Sequence, residues 1–386
     1  MGIHSILKQR RKFLKLTTVL ATVATFSSFD AVSQSGEIKI GAFAAMTGAA
    51  AAQGKALLEG IQLAVKAKNA SGGINGKKIA VIIGDDAGKP EEAAVVARRF
   101  ATRDGVVLAI GSVSSPASLA AAQVFREEEV PQIVASATAQ RITTQGNEWV
   151  FRSAVPDTKF VADIVDFINE TQPKLKKFAF IYVNDDFGKG GLDSFIAAGK
   201  KYGISVVVQE SYTRGDVDFV GQLSKIKSAN PDAVVDWSRY TEGALIQKQM
   251  RQMGLDKLPR FGGDGIAQAA YLDLAADAAN GVIYGTHFSP ATVSAIPEAQ
   301  TFIQAFQKEY GKLPDYVNAQ AFDAAMIAIA ALERAKSTDR TAVRNALRQT
   351  DYASVRGPFK FDQKGDPTLK THVVQIVNLK EVNARK

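Results

Sequence analysis

From residue 38 onward, short apolar runs alternate with longer stretches whose apolar positions recur at helical spacing. Residues 38–43 predict a strand and 55–69 a helix; 79–84 a strand, 90–103 a helix and 106–110 a strand; 116–127 a helix and 132–135 a strand. The apolar runs are β-branched and continuous, the pattern of strands covered on both faces of a parallel sheet. Strict β-α alternation with short links predicts a doubly wound α/β unit. A second set follows. Strands are expected at 178–183, 205–209 and 233–236, helices at 190–202, 219–229 and 242–253, and short strands at 260–262 and 282–284.

The last third changes texture. Residues 298–310, 316–335 and 340–349 read as helices, and 359–361 and 372–377 as late strands. These helices have too few strands for a third domain, so they are expected to return and pack on the first unit. At roughly 100–200 residues per domain, a chain of 386 residues divides into two. The expected fold class is α/β, two doubly wound parallel-sheet lobes joined by a multi-strand hinge, with a ligand in the cleft between them. The boundaries drawn are 34–154 with 289–361 for the N-terminal lobe and 155–288 with 362–386 for the C-terminal lobe. Crossings are expected at 149–157, 286–290 and 361–367.

The N-terminus stands outside this plan. Lys8, Arg10, Arg11, Lys12 and Lys15 form a basic region, 16–26 is a short small-and-apolar run, and Ala31 and Ser33 precede a plausible cleavage site before Gln34. That is the layout of a signal peptide over 1–33. The apolar run falls short of the ~20 residues that span a bilayer. Residues 9–15 also resemble a twin-arginine export signal, with an ordinary secretory signal as the other reading. The segment holds five of the basic residues and one aspartate, and so takes half of the +8 net charge with it. What remains is scattered among acidic neighbours, which argues against a nucleic-acid partner. With no cysteine, a disulfide framework, a thiolate metal site and a lipoprotein anchor are excluded. A soluble protein of the periplasm is expected.

Several strand ends carry residues suited to a ligand. Ser114-Ser115-Pro116 follows the 106–110 strand, with serine at a cap and proline at the first helical turn. The free N–H groups there suit a carboxylate, outside the carboxyl end of a parallel strand; a plain helix cap is the bland reading. Ser136-Ala137-Thr138 follows the next strand with small side chains and two hydroxyls. Gly262-Gly263-Asp264-Gly265 displays a carboxylate between glycines, suited to an ammonium or simply to an Asp-Gly turn. Trp237-Ser238-Arg239-Tyr240 offers aromatic rings, either as a pocket wall or as core. Past the signal the only histidines are His287 and His372, and neither lies near a nucleophile motif. No His/Asp/Glu spacing suggests a metal, and no Gly-x-Gly-x-x-Gly or Walker sequence is found. No enzymatic activity, cofactor or metal is expected.

Taken in order, Lys39-Ile40-Gly41, Met46-Thr47-Gly48, Gly72-Gly73-Ile74-Asn75-Gly76-Lys77, Asp85-Asp86, the 110–115 run, the 262–265 glycine turn, Phe322-Asp323-Ala324 and Gly357-Pro358-Phe359 give the mature chain a resemblance. It resembles the periplasmic leucine/isoleucine/valine-binding proteins, which have the type I periplasmic-binding fold. The resemblance implies that Ser115, Ser136 and Thr138 hold a ligand α-carboxylate from the first lobe, with Ser114 and Ala137 beside them in the ligand site. It implies that Tyr240 and Asp264 close from the second, with Asp264 taking the α-ammonium. Phe187 and Gln53 stand where those relatives have tyrosines, so the side-chain pocket, which Trp237 would also wall, differs from theirs. The implied function is capture of an amino acid by hinge closure and delivery to a permease-ATPase complex of an ABC transporter, by a monomer without catalysis. An aromatic carboxylate, an amide or a urea-like solute remains the alternative ligand, and a sensory system the alternative destination.

Overall fold

The computed structural model describes residues 36–385. The expected signal peptide over 1–33 lies outside them. The first half of the fold runs β1 (Ile38–Ala44), α1 (Ala51–Ala70), β2 (Ile79–Asp85), α2 (Pro90–Arg99), β3 (Leu108–Ile110), α3 (Ser115–Glu127), β4 (Gln132–Val134), a short α4 (Arg141–Thr144) and β5 (Val150–Arg152). Its strands form a parallel sheet in the order β2-β1-β3-β4-β5. β3 and β4 are buried along their whole length, as expected where helices cover both faces.

The second half runs α5 (Asp157–Thr171), β6 (Lys177–Val183), α6 (Asp186–Gly199), β7 (Ser205–Tyr212), α7 (Val220–Ser228), β8 (Ala233–Trp237), α8 (Tyr240–Gln252), β9 (Arg260–Gly262), α9 (Ala269–Ala275) and β10 (Ile283–Thr286). The chain then forms α10 (Pro297–Tyr310), α11 (Tyr316–Ala335), α12 (Arg340–Arg348), the hairpin β11 (Asp351–Ser354) and β12 (Gly357–Lys360), and finally β13 (His372–Val377) and β14 (Lys380–Asn383). The last two strands join the second sheet antiparallel, giving the order β14-β13-β10-β9-β8-β6-β7.

The late helices return to the first half. Asn318 of α11 donates to the Ala56 carbonyl of α1 at 2.9 Å, and Tyr310 donates to the Glu59 carbonyl at 3.0 Å. The backbone therefore passes between the sheets three times: after Arg152, after Thr286 and between Lys360 and His372. Buried ion pairs tie these passages together. Arg152 reaches Asp366 at 2.6 Å, and Arg356 reaches Asp323 at 2.7 Å, with the Arg356 and Asp323 side chains both fully enclosed. Arg356 also donates to the carbonyl and hydroxyl oxygens of Ser153, at 2.9 and 2.7 Å.

Several elements differ from their sequence expectation, each for a local reason. α1 starts at Ala51, earlier than the expected 55, because the intervening Ala-Ala-Gln-Gly run continues the helix. α6 starts at Asp186, well before 190, since the Asp185 side chain accepts from the Phe187 and Gly188 N–H groups as an N-cap. Its glycines serve packing: a Cβ on Gly191 would lie 2.3 Å from the Trp237 indole nitrogen. Gly191→Ala is expected to cost about 1–3 kcal/mol of stability through overpacking, read as a lower denaturant midpoint at constant slope. The stretch at 90–103 ends as an α-helix at Arg99 and continues as one wider turn. The expected strand at 359–361 is one arm of a hairpin with β11, and α5, β5 and β14 had no counterpart in the sequence pattern as read. No helix among the described residues is long and apolar enough to cross a membrane.

Candidate functional site

The carboxyl ends of both sheets face one cleft, and the turns that follow the strands supply its walls. After β3, Ser114 precedes α3 and Pro116 occupies its first turn. The Ser114 hydroxyl is engaged with the Gly88 carbonyl at 3.2 Å, and Ser115 accepts from the Ala139 N–H at 3.4 Å. After β4, the Ser136 N–H donates to the Ser112 carbonyl at 3.4 Å. Ser136, Ala137 and Thr138 are all buried, and the Thr138 hydroxyl lies near enough to the Asp157 carboxylate to lower its pKa without making a well-formed hydrogen bond. The Thr138 carbonyl is held from below by Arg152, at 3.0 Å, and by the Asp157 N–H, at 2.9 Å.

From the second sheet, Asp264 follows β9 and His287 follows β10. These two strands are neighbours, which brings Asp264 Oδ2 within 3.2 Å of His287 Nε2. Burial lowers the imidazole pKa more than the adjacent Asp264 raises it, so the ring is neutral and donates from Nε2. The other oxygen, Asp264 Oδ1, is unpaired although the residue is only 2% exposed. His287 lies against Phe160 and Tyr316, with ring centroids at 4.7 and 6.2 Å. Tyr316 in turn accepts from Gln53 Nε2 at 3.2 Å, leaving Gln53 Oε1 buried and unpaired.

Side chains join the two halves at several points: Arg141 donates to Asp186 at 2.6 Å and Gln268 to Asp315 at 3.2 Å. Tyr240, the first residue of α8, donates to the Ala49 carbonyl at 2.9 Å, and Arg214 donates to the Gly88 carbonyl at 3.0 Å. Phe187 is buried with the Arg239 guanidinium 5.0 Å from its ring centroid. Arg239 is 3.5 Å from Asp185, and its Nε and Nη2 make no hydrogen bond. The charge of Arg239, more than burial, lowers the Arg214 pKa to about 10. Trp237 stands one layer behind, packed among Phe160, Phe180 and Phe187. The pocket-wall role expected for it thus runs through Phe187.

The residues singled out from sequence therefore converge on one enclosed region, Ser114 with its hydroxyl already used and Trp237 in support. Sequence reasoning assigned no ligand role to Asp157 or His287 and did not mark Tyr316. Asp157, the first residue of α5, is fully buried with both carboxylate oxygens unpaired. Burial first, then repulsion from Asp264, raises its pKa to about 8. Among the described residues no group of three or more His, Asp or Glu side chains is placed to hold a metal ion. Buried hydroxyl, amide and carboxylate atoms without hydrogen bonds, gathered at the strand ends of both halves, are suited to gripping a small polar molecule at both of its charged ends.

Comparison with known proteins gives a consistent setting for this cleft. A family model described as periplasmic binding protein matches residues 37–381. A Leu/Ile/Val-binding protein homolog of Brucella melitensis is 32% identical over 330 residues, covering 85% of this chain and 87% of that protein. The crystal structure of a leucine binding protein from Thermotoga maritima is 30% identical with a TM-score of 0.84, over 90% of this chain and 97% of that one. A solute binding protein from Rhodopseudomonas palustris, solved with 3,4-dihydroxy benzoic acid, is 27% identical with a TM-score of 0.81, over 90% and 95%.

Proposed function

The chain belongs to the periplasmic binding protein family, and from that premise we propose that it captures a small amino acid by closing its two halves and delivers it to an ABC transporter. The observation that carries this reading is the set of unpaired polar atoms in the closed cleft: Thr138 Oγ1 and Gln53 Oε1 on one side, Asp264 Oδ1 on the other. A buried polar atom left without a partner costs about 1–3 kcal/mol, so so many together argue for a ligand that satisfies them. An α-amino acid has the complementary ends. Its carboxylate suits the N–H groups and hydroxyls around Ser115, Ser136, Ala137 and Thr138, and its ammonium suits Asp264. Phe187, Gln53 and Tyr240 would bound the side chain, with Trp237 behind Phe187.

The two halves move as lobes in this reading, 34–154 with 289–361 against 155–288 with 362–386, about the three backbone passages. Closure is a population shift toward the state in which the half-sites meet. The protein acts in the periplasm as a monomer, by binding and without chemistry, in keeping with its family; His287 is engaged with Asp264. The relatives named for leucine, isoleucine and valine support a branched-chain or related ligand. One observation favours a second reading, an aromatic carboxylate: the Arg239 guanidinium, 5.0 Å from the Phe187 centroid, has two nitrogens that make no hydrogen bond, one of them in a loose ion pair with Asp185, and one relative is solved with such an acid.

A thermal-shift panel of amino acids, aromatic acids, amides and urea on the protein lacking 1–33 separates these readings. At 100 times its dissociation constant the true ligand stabilises by about 2.7 kcal/mol. A shift with at least one amino acid is expected. Shifts confined to aromatic acids would transfer the site to the second reading.

A further inference from the structure

Beside Phe187 the cleft holds two arginines whose donors are not used up. Arg239 directly precedes α8 and is 5% exposed. Its guanidinium stands 5.0 Å from the Phe187 ring centroid, and its Nε and Nη2 make no hydrogen bond. Phe187 in turn lies against the Asp264 turn, since a Cβ added to Gly265 would be 3.2 Å from its ring. The charge of Arg239 is also felt by Tyr316, the partner of Gln53 on the first half. Arg214 follows β7. Its Nη1 donates to the Gly88 carbonyl, which also accepts from the Ser114 hydroxyl, and its Nη2 is buried without a partner. Repulsion by Arg239 is the largest influence on its pKa, ahead of burial. Three carboxylates stand near the pair, and each is engaged elsewhere. Asp185 caps α6 through the Phe187 and Gly188 N–H groups, and its other oxygen comes only to 3.5 Å from Arg239 Nη2. Glu242 accepts from the Gly215 N–H and the Thr241 hydroxyl. Asp86, which also feels Arg214, accepts from the Ser112 hydroxyl and the Gly88 N–H. These acids offset the charge without satisfying the donors. An apolar side chain placed here would leave three enclosed guanidinium nitrogens without an acceptor, whereas a carboxylate matches their fork.

We propose that Arg239, with Arg214 beside it, forms an anion subsite for the ligand's side chain, so that the cargo is an amino acid whose side chain ends in a carboxylate. This rests on the amino-acid reading and narrows it. Ser115, Ser136, Thr138 and Asp264 keep the two main-chain charges, and the arginines take the third charged group. The departure from a branched-chain cargo is confined to the side-chain end of the cleft. An aromatic acid would use the same guanidinium but leave Asp264 without an ammonium, so the two ligand classes part at the amine.

Calorimetric titration with two pairs of equal shape, glutamate with glutamine and aspartate with asparagine, tests this, with leucine and benzoate as further probes. In wild type the acidic member of the better-fitting pair should bind about 10- to 100-fold more tightly than its amide, the effect of one charge-assisted hydrogen bond, and more tightly than leucine. Arg239→Met, which keeps an extended apolar stem against Phe187, should bring the acid-to-amide ratio to about one, and Arg239→Lys, which keeps the charge without the fork, should restore part of it. Arg214→Met should lower the same ratio by a smaller factor. Each ratio compares two ligands of one shape on one protein, so a variant that merely loosens the fold weakens both members together and leaves the ratio where it was. Should Arg239→Met fail to fold, the wild-type ratio and Arg239→Lys still decide. A wild type that prefers the amides or leucine would overturn the anion subsite and leave the amino-acid reading standing, as would a ratio unchanged by the Arg239 variants. Binding of benzoate alone, or of none of these probes, would overturn both.

Discussion

Asp264→Asn is expected to weaken amino-acid binding by roughly 100- to 1000-fold, about 3–4 kcal/mol, while leaving the ligand-free protein close to wild type in stability. Asp264 is buried at 2% exposure with one oxygen facing the cleft unpaired. Its other oxygen takes the His287 N–H, a hydrogen bond that the asparagine carbonyl can replace. Closing over an ammonium that has lost this counter-charge leaves a buried cation underpaired, and that penalty dominates. The measurement is a calorimetric dissociation constant, with the chemical-denaturation midpoint as the control. An affinity within threefold of wild type would remove Asp264 from the ammonium site.

The second large effect is on stability. Arg356→Met should destabilise the protein by about 3–5 kcal/mol, because Asp323 would be left charged and enclosed. Both side chains of this pair are fully buried, and Arg356 also holds Ser153 in the first backbone passage. Asp323 already titrates above the ordinary carboxylate range through burial, in spite of Arg356. The loss should therefore shrink on acidification, as protonation removes the orphan charge. Adding Asp323→Leu should recover much of it, as replacement of buried pairs by apolar groups does. Denaturant titrations of the single and double variants decide this, and an additive double would show that the pair acts only through packing.

How legible this was from sequence depended on whether a signal was local. The helix at 316–335 was readable to the residue, because Asp315 caps it with a reciprocal Asn318 contact and an unbroken alanine-rich run follows. The strand-end turns at Ser115, Ser136 to Thr138 and Asp264 were readable because small or polar residues interrupt apolar runs at the carboxyl ends of strands. α6 was misjudged at its start because glycines normally signal a break, whereas here they admit Trp237 and Asp157. α5 did carry helical spacing at Phe160, Val161, Ile164, Val165 and Ile168, but it adjoins the segment read as a crossing. Asp157 and His287 had no local signature. After a proline an aspartate reads as a helix start, and only the approach of α6 and the pairing of β9 with β10 bring these two residues to the strand ends where the candidate site lies.

Among the side chains that join the two halves, two end on main-chain oxygen: Tyr240 on Ala49 and Arg214 on Gly88. Main-chain acceptors are indifferent to the identity of the cargo, so these contacts slow reopening equally for every solute that permits closure. Discrimination among solutes is then left to contacts with the cargo itself. The spanning pair sets a common floor on residence time, and slower escape is how most differences in affinity arise. In the proposed role, such cargo-independent contacts would prolong the closed state whichever solute is carried.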